Sequence, residues 1–230
     1  MNGIQSGCLK DKIFILDKEE KNMSRYVSKK IKCNYCRHQY MAKILKSFFN
    51  PGYMDLDTNP HNAVIYDRIL MCPLCGYATD RIEDEVLFEV YEQVNSESYQ
   101  KVFKDTQMDE TYKKLYLFAI LEEIKQNYHN AGYGYLMTYW YLKEKHANTT
   151  EVLKKAIENY EKYLADTADV QSAIILIDCM RQSGKFEEAK ETAESLLPYT
   201  EGTTMYKFVE YELELISQKD TESHSVKEVM

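Results

Sequence analysis

Apolar and polar positions change texture twice along the chain. Before about residue 28 the only apolar run is Ile13-Phe14-Ile15-Leu16, followed by the charged connector Asp17-Lys18-Glu19-Glu20-Lys21-Asn22. No 3.6-residue period survives two turns there, which predicts a short strand within an extended or mobile arm over residues 1–28. From 29 to 80, Gly, Pro, Asn and Asp interrupt short apolar runs, as at Pro51-Gly52, Asn59-Pro60, Pro73 and Gly76. That punctuation predicts a loop-rich module of short strands, with Val64-Ile65-Tyr66 and Ile69-Leu70-Met71 the best candidates.

After Asp80 the punctuation almost vanishes and helix formers carry the chain to about Ser217. Between Arg81 and Val94, Ile82, Val86, Leu87, Val90 and Val94 recur at helical spacing. A stronger helix is predicted over 109–128, with Leu115, Phe118, Ala119, Leu121 and Ile124 on a broad face and Asp109 as its cap. Further helices fit at about 132–146, 150–166, 169–182, 186–197 and 202–217. Residues 218–230 are polar and read as a flexible, frayed tail.

At 230 residues, 44% apolar and 29% charged, the chain has the composition of a folded protein of one or two domains. No apolar run approaches the roughly 18 residues that cross a bilayer, and none forms a leader's apolar stretch, so no membrane is expected and the cytoplasm is the default location. The net charge of −8 hides an asymmetry: residues 1–50 hold eleven Lys/Arg and four Asp/Glu, whereas 51–230 hold eighteen and thirty-three. The first part is therefore basic by seven charges and the second acidic by fifteen.

Six cysteines without an export signal point to metal rather than disulfides. Cys33-Asn34-Tyr35-Cys36 and Cys72-Pro73-Leu74-Cys75 are two CxxC pairs separated by 35 residues, somewhat more than the usual ribbon spacing. Two intervening residues let one tight turn aim both sulfurs at a single ion, and Gly76 follows where that turn needs a positive φ. Cys33, Cys36, Cys72 and Cys75 thus read as the ligands of one structural Zn2+. Four protein ligands leave no open position for catalysis, and such binding contributes about 10–16 kcal/mol to folding a module too small to own a core. The alternative is two unrelated buried or redox-active pairs, although two thioredoxin-type units would not fit in so short a stretch. His38 is a possible substitute ligand and His61 a loop residue. Cys8 lies in the arm and Cys179 on an apolar helix face, and no chemistry attaches to either.

Aligning Ala156 with Ala189 superposes Leu153 on Phe186, Tyr160 on Ala193 and Leu164 on Leu197, an offset of 33 residues. The later copy, Gly184 to Pro198, resembles the tetratricopeptide pattern, and in the earlier copy His146-Ala147-Asn148-Thr149-Thr150 forms a longer turn without the glycine. The alternative is an ordinary bundle whose helices share a period by chance. Two copies need capping neighbours, for which the helices at 109–128 and 202–217 are suited. The expected fold is α+β and mostly α: an arm (1–28), a small zinc-ribbon-like module (29–80), a tetratricopeptide-like helical domain (81–217) and a tail (218–230). Such stacks offer a groove to a peptide. Tyr133, Tyr135, Tyr139 and Trp140 crowd its first helix and are the candidate contacts, unless these rings simply fill interhelical gaps.

The order of paired knuckles, Asn59-Pro60, Cys72-Pro73-Leu74-Cys75-Gly76-Tyr77-Ala78 and then repeat-like helices resembles the bacterial DUF2225 family over about residues 30–215. In that family the first knuckle usually reads Cys-Pro-x-Cys; here Asn34 stands in place of proline and Arg37-His38 replaces a knuckle glycine. The resemblance implies a bacterial cytosolic protein and no reaction, since the family's task is not established.

Three functions remain to be weighed. A non-enzymatic adaptor that binds a protein or peptide partner, suited to a basic one by its acidic helices, accounts best for the features above. The alternative is nucleic-acid binding through the basic face of the zinc module, where Lys29, Lys30, Lys32, Arg37, Lys43 and Lys46 interleave with aromatics. An enzyme is not expected: there is no phosphate loop, nucleophile elbow or His-Glu-x-x-His helix, and Glu83-Asp84-Glu85, Glu187-Glu188, His129 and His146 read as helix-surface and helix-end residues.

Overall fold

The computed structural model of the chain describes residues 24–50 and 52–230. Two antiparallel strands come first, β1 (Arg25–Lys32) and β2 (Gln39–Ser47), with Ile31 opposite Tyr40 and Lys29 opposite Ala42. Strand alternation sends Ile31 and Ala42 into the core and leaves Lys30, Lys32, Gln39 and Met41 exposed. The expected strand at Ile13–Leu16, like Cys8, lies outside the described residues. Arg25–Ser28, assigned to an arm from sequence, belongs instead to β1.

A second antiparallel pair follows, β3 (Leu70–Met71) and β4 (Ala78–Thr79). Between the two pairs, Val64-Ile65-Tyr66 forms not a strand but a 3-10 turn, Ala63–Arg68, begun where the Asn62 side chain accepts from the Val64 N–H. Ile65 and Tyr66 are both buried, which a strand's alternation would forbid and a tight helical turn permits.

Eight helices make up the rest: α1 (Phe88–Asn95), α2 (Glu97–Lys104), α3 (Glu110–Ile124), α4 (Tyr128–Glu144), α5 (Thr150–Ala165), α6 (Val170–Gln182), α7 (Phe186–Thr200) and α8 (Met205–Ser217). From α3 onward each packs against the next, and α6 also touches α8. Asp109 does cap α3, its side chain accepting from the Thr111 N–H at 2.7 Å. The helix expected from Arg81 starts only at Phe88. The carbonyls of Ile82, Glu83 and Asp84 accept from Asn34 instead, so none is free to build a helical turn.

Helices α3, α4, α6 and α8 end alike. A left-handed residue closes each (Gln126 φ 58°, His146 53°, Gly184 80°, Lys219 55°). The next N–H then reaches back five residues, as from Asn127 to Glu122 and from Lys185 to Met180. Only one of the four closures uses glycine, so only that one announces itself in the sequence.

One apolar core runs from Ile31, Cys72 and Tyr77 through Val90 and Tyr99 to the helices, so the boundary drawn at residue 80 cuts through continuous packing. Helix α4 lies at the centre, buried almost all round. A Cβ at its Gly134 would meet the Ala119 Cβ at 2.9 Å, so glycine there lets α3 approach closely.

The tail is not frayed. Leu56 N–H donates to His224 O (2.9 Å), Val226 N–H donates to Met54 O (2.9 Å), and Asp55 bridges to Ser225. A closing 3-10 turn, Val226–Glu228, carries a full capping box from Ser225 and Glu228. A polar composition hid this docking because backbone hydrogen bonds, not apolar side chains, hold it.

Candidate metal centre

Each CxxC pair sits in the turn of one hairpin, and the two turns have the same construction. In the first, Cys33 N–H donates to His38 O (2.9 Å) and Arg37 N–H to Cys33 O (2.8 Å). In the second, Cys72 N–H donates to Tyr77 O (2.9 Å) and Gly76 N–H to Cys72 O (2.9 Å). Arg37 and Gly76 are therefore equivalent, with φ of 64° and 78°. What differs is the neighbourhood. A Cβ on Gly76 would fall 2.5 Å from the Phe103 ring of α2, whereas Arg37 faces solvent and donates to Asn34 Oδ1 at 2.7 Å. Asn34, where the other knuckle has Pro73, is also accounted for: its backbone N–H donates to Ile82 O at 3.2 Å, a bond that proline cannot make.

All four sulfurs lie within 4.8 Å of one another. Cys33 to Cys75 is 3.9 Å and Cys36 to Cys72 is 3.6 Å. A tetrahedral ion with bonds of about 2.3 Å sets its thiolates about 3.8 Å apart, so the donors already stand at ligand spacing. None of the described cysteines is in a disulfide. Thiol hydrogen bonds from Cys33, then Cys75, hold Cys72 far below the ordinary thiol value. Cys33 is pushed up to about 11, first by its hydrogen bond with Cys72, and Cys75 is raised further, first by Cys33. One thiolate suppresses the others unless a cation shares the space, and a coordinated ion deprotonates thiols outright. Cys33, Cys36, Cys72 and Cys75 can hold one metal ion, with no coordination position left over for a substrate.

The surroundings brace these turns. Tyr35 stacks on Tyr91 at 4.8 Å, Tyr99 Oη donates to Gly76 O at 2.9 Å, and Gln100 Nε2 donates to Cys75 O at 3.3 Å. Tyr99 and Gln100 lie on α2, which the hydrophobic pattern did not reveal. Its signal was Ser96, whose side chain accepts from the Tyr99 N–H. His38 lies flat against Tyr40, and His61 pairs with Asp55 at 2.8 Å. Neither belongs to the sulfur cluster. Cys179 is fully buried on α6, its thiol pushed up by burial.

A second polar assembly, missed from sequence, lies at the tail. Arg181 is 0% exposed. It contacts Asp178, donates to Glu212 Oε2 at 2.8 Å, and reaches the backbone oxygens of Asp220 and Glu222, each at 2.9 Å. Burial, then the Asp178 charge, drives Glu212 well up toward its neutral form. The same two causes push Asp57 up to about 7.

The tyrosine expectation is corrected. Tyr135, Tyr139 and Trp140 are buried, at 0%, 4% and 1% exposure. Their polar tips bind inside the chain, to Glu123 (2.9 Å), Gln182 (2.7 Å) and Asp57 (2.8 Å) respectively. Half-buried Tyr133 meets the Trp140 ring edge-on at 5.9 Å. A helix central to the core needs large side chains with satisfied tips, and these residues supply them. The candidate lysines separate: Lys29 pairs with Glu83 at 2.9 Å, while Lys30, Lys32 and Lys43 share the opposite strand face. Arg37 sits in the first knuckle and Lys46 near the far end of β2.

Among the described residues no helix is long and apolar enough to cross a membrane. No family model, curated protein or solved structure matches the chain. The class that fold and site define is a four-cysteine hairpin module packed into a helical stack.

Proposed function

We propose that the protein is a non-enzymatic adaptor whose four cysteines hold one structural zinc ion and whose helices stack in the tetratricopeptide manner. Four thiolates at tetrahedral spacing suit zinc better than harder ions, and two hairpins meeting at one centre suit a zinc ribbon. Free thiols at the described cysteines support a reducing compartment, the cytoplasm. The repeat reading is supported by Ala156 and Ala189, both fully buried 33 residues apart. The two carboxylates pushed up toward their neutral forms, Asp57 and Glu212, are sealed inside, which favours binding over catalysis. Membership of a DUF2225-like group rests on the residues from Cys72 to Ala78.

The observation that carries the adaptor reading is a groove of about 650 Å³ between α5, α6 and α7. Leu164, Val170, Leu176, Met180, Leu196 and Tyr199 line it, together with the acidic Glu161 and Asp169. Tyr199 is 79% exposed, the kind of amphipathic anchor that recognition surfaces use. The fitting partner is a peptide with apolar anchors flanked by Lys or Arg. Selection of a displayed random-peptide library against the zinc-loaded chain should enrich that pattern. The enriched peptides should bind Leu196→Glu and Tyr199→Ala variants at least about tenfold more weakly. Failure to enrich any motif, or binding indifferent to both substitutions, would refute the groove.

A further inference from the structure

The β1–β2 ribbon carries charge of a single, positive sign. Residues 24–50 carry Arg25, Lys29, Lys30, Lys32, Arg37, Lys43 and Lys46 and no Asp or Glu. Register and alternation place Tyr26, Lys30 and Lys32 of β1 beside Gln39, Met41 and Lys43 of β2 on the outward face. Met41 is 65% exposed at its centre. Among the described residues, Glu83 and Asp67 beside the ribbon are already engaged: Glu83 by Lys29 at 2.9 Å, and Asp67 by Tyr26 at 2.9 Å and Lys114 at 3.3 Å. The Lys43 ammonium sits 3.9 Å from the Tyr26 ring centroid, which holds it on the outward face. Among the described residues Lys30, Lys32, Arg37, Lys43 and Lys46 form no ion pair.

From this face we propose a second binding surface, independent of the groove: the ribbon binds double-stranded DNA along its phosphate backbone. Clustered cations that form no ion pair among the described residues gain most where a polyanion releases its condensed counterions. A two-stranded ribbon, its strands about 4.8 Å apart, is an element that a major groove about 12 Å wide admits. Duplex RNA is disfavoured because its major groove is too narrow for side chains to enter. Single strands are disfavoured because the face offers no free stacking ring: Tyr26 is covered by Lys43 and tied to Asp67, while Tyr35 and Tyr40 stack on neighbours. The acidic helices would be repelled, so the ribbon leads the approach. Contacts of this kind position the protein without reading sequence.

The test is fluorescence anisotropy of a labelled duplex titrated with the full zinc-loaded chain. Four phosphate contacts, from Lys30, Lys32, Lys43 and the knuckle's Arg37, give a log–log salt slope of about −3.6, so affinity should fall about 150-fold between about 50 and about 200 mM salt. The triple variant Lys30→Glu/Lys32→Glu/Lys43→Glu should lose binding while keeping its metal content and melting temperature. The milder Lys30→Gln/Lys32→Gln/Lys43→Gln variant should reduce the slope by about 3. No binding at the lower salt would overturn the proposal, as would variants that bind like the parent. Tighter binding to single-stranded DNA, to duplex RNA or to anionic lipid vesicles than to duplex DNA would overturn it as well.

Discussion

Replacing Arg181 with methionine removes the buried cation at a junction where two helices and the tail meet. The side chain is wholly buried, contacts Asp178 and Glu212, and donates to the carbonyls of Asp220 and Glu222. Methionine keeps much of the volume, so little of the effect would come from a cavity. The loss is electrostatic. Breaking a buried ion pair from one side costs about 3–5 kcal/mol, because the partner stays desolvated without its counter-charge. Glu212 softens this by being driven toward its neutral form, which leaves Asp178 as the main unpaired group. With about 2 °C lost per kcal/mol in a chain of this size, the melting temperature should drop by about 6–10 °C. Such a loss is a large share of a typical stability of about 5–15 kcal/mol, yet smaller than the whole. The chain should therefore stay folded and release its tail first. Hydrogen exchange reads this directly: the N–H groups of Leu56 and Val226, bonded to His224 O and Met54 O, should lose protection. Amides in the middle of α3 should keep theirs. An R181M chain melting within about 1 °C of the parent, with both amides protected, would refute the claim that Arg181 holds the tail.

Three further outcomes follow from the same contacts. Removing the metal with a chelator, or substituting Cys72→Ser, should abolish exchange protection across β1–β4 while Leu56 stays protected, since the tail and not the metal holds that amide; loss at Leu56 as well would show that the metal organises the whole segment. Gly76→Ala should weaken metal retention, measured as bound metal per chain, because both its positive φ and Phe103 oppose a Cβ; Arg37→Gly at the equivalent, open position should leave retention intact and shift stability by no more than about 1 kcal/mol. Asp57 is pushed from its ordinary 3.8 up to about 7 by burial and then by Asp178, so in that window the folded chain holds a proton the unfolded chain has released. Stability should therefore fall as pH rises through the window, by at most about 1.4 kcal/mol per pH unit from this group, and level off above it; melting curves across that range should be flatter for Asp57→Asn.

The sequence made the sulfur cluster legible because CxxC spacing is a local signal, and two local turns suffice to define a tetrahedral site. Helices α5 to α8 were legible because each keeps an apolar stripe long enough to show its period, and α3 and α4, apolar on most sides, by their length and helix-forming composition. Helix α2 was not: it is eight residues long, and only Ser96 marks its start. The stretch from Arg81 to Leu87 has helical spacing, but its carbonyls are drawn to Asn34, a competitor some fifty residues away in sequence. Alternation and period cannot register such a partner. The tyrosines of α4 failed for a related reason. Abundance in a helix does not say which face is covered, and the polar tips found Glu123 and Gln182 inside the chain. The tail was least legible, since one buried arginine and several backbone bonds leave no hydrophobic trace.

The long interval between the two knuckles follows from where the intervening chain goes. A minimal pair of hairpins around one ion needs only a short connection, and 35 residues separate Cys36 from Cys72. The excess is a detour to the helices. Asp57 accepts from the Trp140 indole N–H at 2.8 Å, and Tyr66 donates to Glu144 at 3.1 Å, so the middle of the connection lies against the C-terminal part of α4. The tail then closes over Met54 to Leu56 from the opposite side. The detour gives Trp140 its acceptor, Asp57, while Tyr135 and Tyr139 find theirs on the neighbouring helices, in Glu123 of α3 and Gln182 of α6. The four-cysteine cluster joins the two ends of the detour, and α4 and the tail fix its middle. The cysteine module and the helical stack are thus one core, in which the interval that looks too long for a ribbon is the element that joins them.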